Sequence, residues 1–144
     1  MKLATKRFDK TIPLPKYQKL AAGFDFKCRK GAVIKPGETK VIPSNLAIEV
    51  PEGFFLLVAP RSSTWSRLGL IMPHSIGISD PFYRADGQEI ALLLYNPTKK
   101  PAIIKKGDSI AQGVLLKYEK VEFDETKSLS NSKIGKWKPC KRRS

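Results

Sequence analysis

The stretch PEGFFLLVA, residues 51–59, decides the fold, because it joins a Pro-Glu-Gly turn to a short apolar run. Six apolar residues after a turn suit a buried β-strand and are too few for most helices. Similar runs lie on both sides, separated by turn residues, and they span residues 32–35, 40–43, 46–50, 89–95, 102–104 and 109–118. Helical periodicity is weak, and only Ser63–Leu68 is predicted to form a short helical turn. Many short strands at roughly ten-residue spacing predict an all-β sandwich, jelly roll or barrel.

The composition predicts one folded domain in the cytoplasm. The chain has 144 residues, of which 41% are hydrophobic, so it can bury a core. No apolar run approaches the roughly 20 residues of a membrane helix, and the polar, basic N-terminus does not resemble a secretory signal. We therefore expect no membrane partner. Cys28 and Cys140 lack metal-binding spacing, which favours two free thiols in a reducing cytosol.

The charge balance is strongly positive, with 27 Lys and Arg against 13 Asp and Glu and a net charge of +14. Such a surplus attracts phosphorylated ligands or polyanions. The chain lacks the interleaved aromatic and basic residues of nucleic-acid stacking surfaces, so a nucleic-acid partner is not expected. Part of the charge lies near the C-terminus, where the apolar pattern ends. We predict an all-β domain over residues 1–124 and a flexible basic C-terminal arm over residues 125–144.

Two motifs place a polar side chain beside strand-forming residues. In AAGFDF, residues 21–26, the carboxylate of Asp25 is a candidate for Mg²⁺. Hard cations take oxygen ligands and usually keep several waters, so one Asp together with substrate phosphates can hold the ion. In GDSIAQ, residues 107–112, Gln112 follows an apolar pair and can reach a phosphate. The alternatives are an ordinary turn Asp and a polar residue on the outer face of a strand.

A third motif, PRSSTWSRLG at residues 60–69, sets two serines at the start of the predicted helical turn. The backbone N–H groups and hydroxyls of Ser62 and Ser63 can cradle phosphates there. The alternative is a pair of N-capping serines.

The fourth motif, HSIGISDPFY at residues 74–83, looks like a hairpin that carries an acid and an aromatic three residues apart. Asp80 is a candidate to hold and deprotonate a water, and Tyr83 can pack its ring face on a sugar. The alternative is an Asp-Pro turn beside a core Tyr.

Taken together, the motifs resemble those of the dUTPase (deoxyuridine 5'-triphosphate nucleotidohydrolase) family. That family reads AGxD, PRSGLAxKxG, GxIDxxYxG and GxRIAQ, followed by a Gly-rich C-terminal motif. The matching positions in this chain are Gly23, Asp25, Pro60, Arg61, Ser62, Arg67 (for Lys), Gly69, Gly77, Asp80, Tyr83, Gly107, Ile110, Ala111 and Gln112. The resemblance covers about residues 13–118, and four spaced motifs in one order seldom co-occur by chance.

The resemblance implies a jelly-roll-like β-barrel that assembles as a homotrimer with active sites at the subunit interfaces. It implies hydrolysis of dUTP to dUMP and pyrophosphate with Mg²⁺ as cofactor, which lowers dUTP and supplies dUMP for thymidylate synthesis. The implied roles are water activation by Asp80, phosphate binding by Ser62, Ser63 and Gln112, support of the site and of the trimer interface by Arg61, uracil recognition by the backbone around His74, Gly77 and Ile78, sugar stacking by Tyr83, and water-mediated Mg²⁺ binding by Asp25.

Several positions depart from the family pattern. Ser63 replaces Gly, Ser79 replaces Ile and Ser109 replaces Arg, whereas His74 stands where many members have Asn, so its contact to uracil stays open. The turn at residues 84–89 is longer than the family's. The C-terminal motif keeps only one glycine, Gly135, and a reduced version would use Lys133 or Lys136 on phosphate and Trp137 on the base. The alternative is a disordered basic tail.

Two rival functions are kept open. A dCTP deaminase shares the fold and an R-S-S run, but Leu93 stands at the position of its proton-transferring Glu, and leucine cannot do acid–base chemistry. Arg67 and Gly69 also lie one position farther from Arg61 than in the deaminases. A non-catalytic nucleotide-binding homologue is favoured by His74 and the altered arm. It is disfavoured by Asp80, which a pure binder does not need.

Overall fold

The computed structural model describes residues 1–83 and 87–130. Within them the chain forms ten β-strands and one short helix; the apolar runs predict most of the strands, but not the polar one at Thr5–Arg7. In chain order these are β1 (Thr5–Arg7), β2 (Phe24–Lys27), β3 (Ala32–Ile34), β4 (Thr39–Pro43), β5 (Leu46–Ile48), β6 (Phe54–Pro60), α1 (Ser62–Leu68), β7 (Gly77–Ser79), β8 (Ala91–Tyr95), β9 (Ala102–Ile104) and β10 (Ser109–Lys117).

The strands of the described residues pair only in antiparallel fashion, in four sheets. The largest has the order β2-β10-β6-β7, and the others pair β1 with β5, β3 with β9 and β4 with β8. β10 lies at the centre, where Gln112 faces Asp25 on one side and Ala59 on the other. A bulge between Ser109 and Ala111 shifts the register of β10 against β2. This sheet therefore brings together chain segments that carry residues of all four motifs.

The core follows from the alternation of side chains along each strand. In β2, Phe24 and Phe26 are buried, whereas Asp25 and Lys27 point to the other face and are half-buried. The core is made mainly of aliphatic and aromatic side chains, among them Phe26, Ile34, Ile42, Val50, Leu56, Leu70, Leu92, Leu94, Ile104 and Ile110. Because two inward phenylalanines flank Asp25, the strand must present this carboxylate to the outer side.

The predicted hairpin at residues 74–83 differs from expectation. β7 pairs with β6, through Gly77 opposite Val58, whereas β8 pairs with β4. The chain between them is diverted at Ile90, whose N–H donates to the Leu46 carbonyl at 2.8 Å and whose carbonyl accepts the Ser44 N–H at 3.1 Å. The backbone N–H and carbonyl of Ile90 are thus bonded to the turn between β4 and β5, whereas in a simple hairpin they would bond to the partner strand.

The segment ends are close to those predicted. The helix begins at Ser62 instead of Ser63, and the strand predicted from residue 89 begins at Ala91. Residues 119–130 form no strand and are exposed, so the boundary at residue 124 stays a prediction. No helix in the described part of the chain is long and apolar enough to cross a membrane.

Cys28 is a free, fully buried thiol, as its spacing predicts. Its Sγ donates to the Lys105 carbonyl at 2.7 Å. Burial raises the pKa of this thiol above its ordinary value, which keeps it protonated. Cys140 lies outside the described residues.

Candidate active site

Asp25 and Arg61 come from different motifs and form an ion pair. Asp25 lies on β2, and Arg61 directly follows β6 at the N-cap of α1. The Arg61 Nε lies 2.9 Å from the Asp25 Oδ1, and the Arg61 Nη1 donates to the Ser109 carbonyl at 3.2 Å. Arg61 therefore links β2 to the start of β10, and both side chains of the pair stay accessible from one side.

Gln112 completes this group, which we call the strand-end cluster (Asp25, Arg61 and Gln112). It lies on β10 directly opposite Asp25, and its Nε2 donates to the Pro60 carbonyl at 3.2 Å. Gly23 allows the strands to approach, because a Cβ there would lie 2.8 Å from the Gly113 carbonyl oxygen. The cluster joins a carboxylate, a guanidinium and an amide, which are groups able to bind a metal-bound triphosphate.

The serines of α1 do not cap the helix, so the capping interpretation is wrong. The N-cap residue is Arg61, with extended backbone angles and no side-chain cap bond. Ser62 is exposed at the first helical position. The Ser63 Oγ is buried and has no hydrogen-bond partner among the residues that the structure describes.

Thr64 is a site-supporting residue that the sequence argument missed. Its buried hydroxyl donates to the Ile110 carbonyl at 2.8 Å, and its N–H donates to the Arg61 carbonyl at 2.9 Å. These bonds fix the start of α1 on β10 and so fix where Ser62 lies. The only signal was a hydroxyl at the position where the family motif has Leu.

The residues predicted to bind base and sugar line one cavity of about 210 Å³. This base cavity contains four of the predicted residues and five others: His74, Gly77, Ile78 and Tyr83, with Val58, Met72, Ser79, Ile90 and Ala91. A Cβ on Gly77 would lie 3.4 Å from the Val58 Cβ and 3.8 Å from the His74 Nε2. Glycine therefore keeps this wall open. The Ser79 Oγ is buried and has no partner within the described ranges.

Asp80 follows β7 in a turn and is exposed. Its Oδ1 accepts the Phe82 N–H at 3.0 Å, and its carbonyl accepts the Tyr83 N–H at 3.0 Å. The Asp-Pro turn is thus formed, and within the described residues it binds one oxygen of the carboxylate, Oδ1. Asp80 lines an open cleft of about 720 Å³ together with Ile78, Phe55 and Tyr118.

The candidate residues are distributed over several concavities of the described chain, and Asp25 lines a further small one with Lys27 and Asn45. Arg61 and Ser62 line a hollow of about 410 Å³ with Trp65 and Ser75, which shares Met72 with the base cavity but shares no lining residue with the cleft of Asp80. Within one chain, Asp25, Arg61 and Gln112 therefore lie together, whereas Asp80 lines a different concavity. Lys133 and Trp137 lie outside the described residues, as do residues 84–86 of the long turn.

The chemistry of Asp25 fits a water-mediated Mg²⁺ site. Arg61 occupies Oδ1, and Oδ2 has no partner among the described side chains. No group of three or more His, Cys, Asp or Glu side chains occurs in the described part of the chain. Mg²⁺ is typically held by one or two carboxylates, waters and substrate phosphates, which matches a single accessible carboxylate beside phosphate-binding groups.

Comparisons with known proteins agree on one family. The family model dUTPase matches residues 9–139. The deoxyuridine 5'-triphosphate nucleotidohydrolase of Nautilia profundicola is 36% identical over 136 residues, which is 94% of each chain. The protein of the same name from Corynebacterium glutamicum is 38% identical over 130 residues, covering 90% of this chain and 86% of that one.

Solved dUTPases share the fold. The dUTPase of Streptococcus mutans has a TM-score of 0.74 at 23% identity, covering 83% of this chain and 98% of its own. The dUTPase of phage phi11 of S. aureus, described with a structural Mg(II) ion, has a TM-score of 0.80 at 20% identity, covering 91% and 100%. The predicted jelly-roll-like β-barrel is thereby confirmed. Because the family model and both relatives match the chain over nearly its whole length, the chain belongs to the dUTPase family.

Proposed function

We propose that this protein hydrolyses dUTP to dUMP and pyrophosphate, which lowers dUTP and supplies dUMP for thymidylate synthesis. The observation that carries the proposal is the strand-end cluster, in which Asp25, Arg61 and Gln112 from three separate motifs meet at one end of the central sheet. The names of the relatives at 36% and 38% identity support the same substrate.

The phosphate end of the substrate is assigned to the strand-end cluster and α1. Ser62 is exposed on the first turn of the helix, where its hydroxyl and N–H can meet a phosphate oxygen. Gln112 supplies an amide from β10, and Ser63 has a buried hydroxyl in the same turn. Arg61 holds Asp25 in place and contributes positive charge beside the triphosphate.

The nucleoside end is assigned to the base cavity. The backbone of Gly77 and Ile78 reads the uracil edge, and the open wall at Gly77 leaves room for the ring. His74 faces this wall and is the candidate side-chain contact to the base. The Tyr83 ring packs on the deoxyribose, where a 2'-hydroxyl would collide with it.

Water activation is assigned to Asp80. The turn fixes its carboxylate through Oδ1, and the other oxygen is available to accept a proton from a water. That water attacks the α-phosphorus, the bond from the α-phosphorus to the bridging oxygen breaks, and pyrophosphate leaves. Asp25 would hold Mg²⁺ through water, and the ion would supply positive charge that neutralises the triphosphate and fixes its shape.

We propose a homotrimer with a composite site. The distribution of Ser62 and Asp80 over different concavities supports this assembly, because a complete site then needs residues from neighbouring copies. The arm with Lys133 and Trp137 would close over the site of another copy and exclude water. Light scattering on the purified protein is expected to give three times the mass of 16.1 kDa.

We place the protein in the cytoplasm. The buried, free thiol of Cys28 supports a reducing compartment. Fractionation of the source cells is expected to recover the dUTP-hydrolysing activity with cytosolic markers, and recovery with the membrane or secreted fraction would contradict the assignment.

The first experiment is pyrophosphate release from dUTP, dCTP, dTTP and UTP with Mg²⁺, alongside a test for deamination of dCTP. We expect release from dUTP alone, and EDTA is expected to stop it. Binding of dUTP without release would favour the non-catalytic homologue, the second candidate, for which His74 in the base cavity and the altered arm are the arguments. Deamination of dCTP would overturn the assignment despite Leu93 on β8.

A further inference from the structure

The position of Tyr83 depends on Glu89. Tyr83 lines the base cavity, and its phenol donates to the Glu89 backbone carbonyl at 3.3 Å. The ring is 37% exposed, so core packing alone does not fix it. The other hydrogen bond described for Tyr83 runs from its backbone N–H to the Asp80 carbonyl and does not restrain the ring. Without the bond to Glu89, the far end of the side chain could therefore move. The carbonyl of Glu89 therefore sets where the tip of this ring lies.

The Glu89 side chain is clamped by Arg29. The Arg29 Nε lies 3.0 Å from Oε1 and the Nη2 lies 2.7 Å from Oε2, which is a two-pronged pair. The Asn45 N–H also donates to Oε1, at 2.6 Å. Glu89 is only 13% exposed and Arg29 is 28% exposed, so the pair is better shielded from water than a surface ion pair.

Arg29 is itself held from two sides. Its N–H donates to the Pro43 carbonyl at 2.8 Å, and its guanidinium lies 5.6 Å from the centre of the Phe8 ring. The hydrogen bond to Glu89 raises the pKa of Arg29 above its ordinary value, so the guanidinium stays charged. Arg29, the partner of Glu89, is therefore anchored in the barrel, outside the long turn.

The clamp acts on the peptide unit that Tyr83 contacts. The Glu89 carbonyl and the Ile90 N–H belong to the same planar peptide, and that N–H donates to the Leu46 carbonyl at 2.8 Å. This one hydrogen bond would still allow the peptide plane to rotate. The Arg29 pair holds the side chain of the residue that carries this carbonyl, and the Glu89 N–H donates to the Gly87 carbonyl at 3.1 Å.

We propose that Arg29 and Glu89 are positioning residues for Tyr83. Neither touches the substrate, and together they hold the Glu89 carbonyl where it fixes the ring against the sugar. This inference rests on the proposed function, because it assigns the discrimination between dUTP and UTP to the clamp. Releasing the clamp lets the ring move aside and admit a 2'-hydroxyl.

The test is a double-mutant cycle on nucleotide selectivity. The kcat/KM for dUTP and for UTP is measured in the wild type, Arg29→Met, Tyr83→Phe and the double variant. Arg29→Met is expected to lower the dUTP-to-UTP ratio about fivefold to tenfold. In the Tyr83→Phe background, which has already lost the phenol bond, the same change is expected to alter the ratio less than about twofold.

Conservative and control variants separate positioning from folding. Arg29→Lys keeps the charge and is expected to restore part of the selectivity. Glu38→Gln is the control, because Glu38, like Glu89, pairs with a basic side chain, that of Lys40, and accepts a backbone N–H, that of Lys35. It is expected to leave the ratio unchanged.

Two results would overturn the inference. One is an Arg29→Met variant that melts earlier yet keeps its dUTP-to-UTP ratio. The other is an equal loss of selectivity in both Tyr83 backgrounds. A wild type that does not turn over dUTP would instead refute the proposed function, and the same cycle in the Kd values for dUTP and UTP would then decide the inference.

Discussion

The Arg61 guanidinium lies 2.9 Å from the Asp25 carboxylate and joins the strand β2 to the start of α1. Both side chains are about one-third exposed, at 31% and 35%, so water screens the pair. An ion pair of this exposure adds at most about 1 kcal/mol to stability. Its main effect is geometric, because it turns one oxygen of Asp25 toward Arg61 and leaves the other facing outward.

Asp25→Asn is expected to raise the Mg²⁺ concentration that gives half-maximal dUTP hydrolysis about tenfold or more. The reason is that a neutral amide holds the waters of a hard cation more weakly than a carboxylate does. A magnesium titration at saturating dUTP measures the shift. Asp124→Asn, which removes an exposed carboxylate from the segment after the last strand, is the control and should leave the titration curve in place.

Asp80→Asn is expected to lower kcat by about 10²–10⁴ or more while the Kd for dUTP changes little. The amide keeps the oxygen that accepts the Phe82 N–H, so the turn is preserved, but it cannot take a proton from water. Single-turnover hydrolysis and calorimetric binding provide the two numbers. If binding is lost and the assembly falls apart as well, Asp80 is a structural residue.

Gly113→Ala is expected to destabilise the protein by about 1–3 kcal/mol, because overpacking forces the neighbours to move. A Cβ there would lie 2.8 Å from both the Phe24 Cζ and the Phe26 Cε2. Gly87→Ala is the control, since its Cβ would meet no atom within 4 Å and it should stay within about 0.5 kcal/mol. Urea unfolding of both variants gives the comparison, and equal midpoints would contradict the packing argument.

Asp9→Asn is expected to destabilise the protein at neutral pH and to lose this effect in acid. Lys106 and Thr11 bind the Asp9 carboxylate and lower its pKa from the ordinary value of 3.8. A lowered pKa means stability that is complete above the unfolded value and is lost as the pH falls through the folded value. Urea unfolding at pH 7, 5 and 3 should show the same gap between wild type and variant at the first two values and a smaller gap at the third. A gap that widens in acid would show that the carboxylate is not stabilised in the folded state.

Removal of residues 131–144 is expected to lower kcat at least about tenfold and to change the melting temperature little. The barrel strands end at Lys117 and residues 119–130 are exposed, so the core is complete before the arm. Trp137→Ala within the full chain isolates the stacking role from the rest of the arm. Unchanged turnover in the truncated protein would show that the arm is not a lid.

The local sequence determined the strands, the helical turn and the identity of the motifs. Alternation of apolar residues and turn residues is a property of a few neighbouring positions, so β6, β9 and β10 lie where the pattern predicts them. The same alternation puts Asp25 on the outer face of β2, between two buried phenylalanines.

The tertiary structure decided which distant groups meet. Three contacts join segments that are far apart in the chain. They are the ion pair of Arg61 with Asp25, the hydrogen bond from Thr64 to the Ile110 carbonyl, and the ion pair of Arg29 with Glu89. Such contacts depend on the register of paired strands, and a shift of one residue would turn each side chain to the opposite face. Sequence spacing does not encode that register. It could therefore name the candidate residues, but it could not assign them to different concavities or reveal what holds Tyr83 in place.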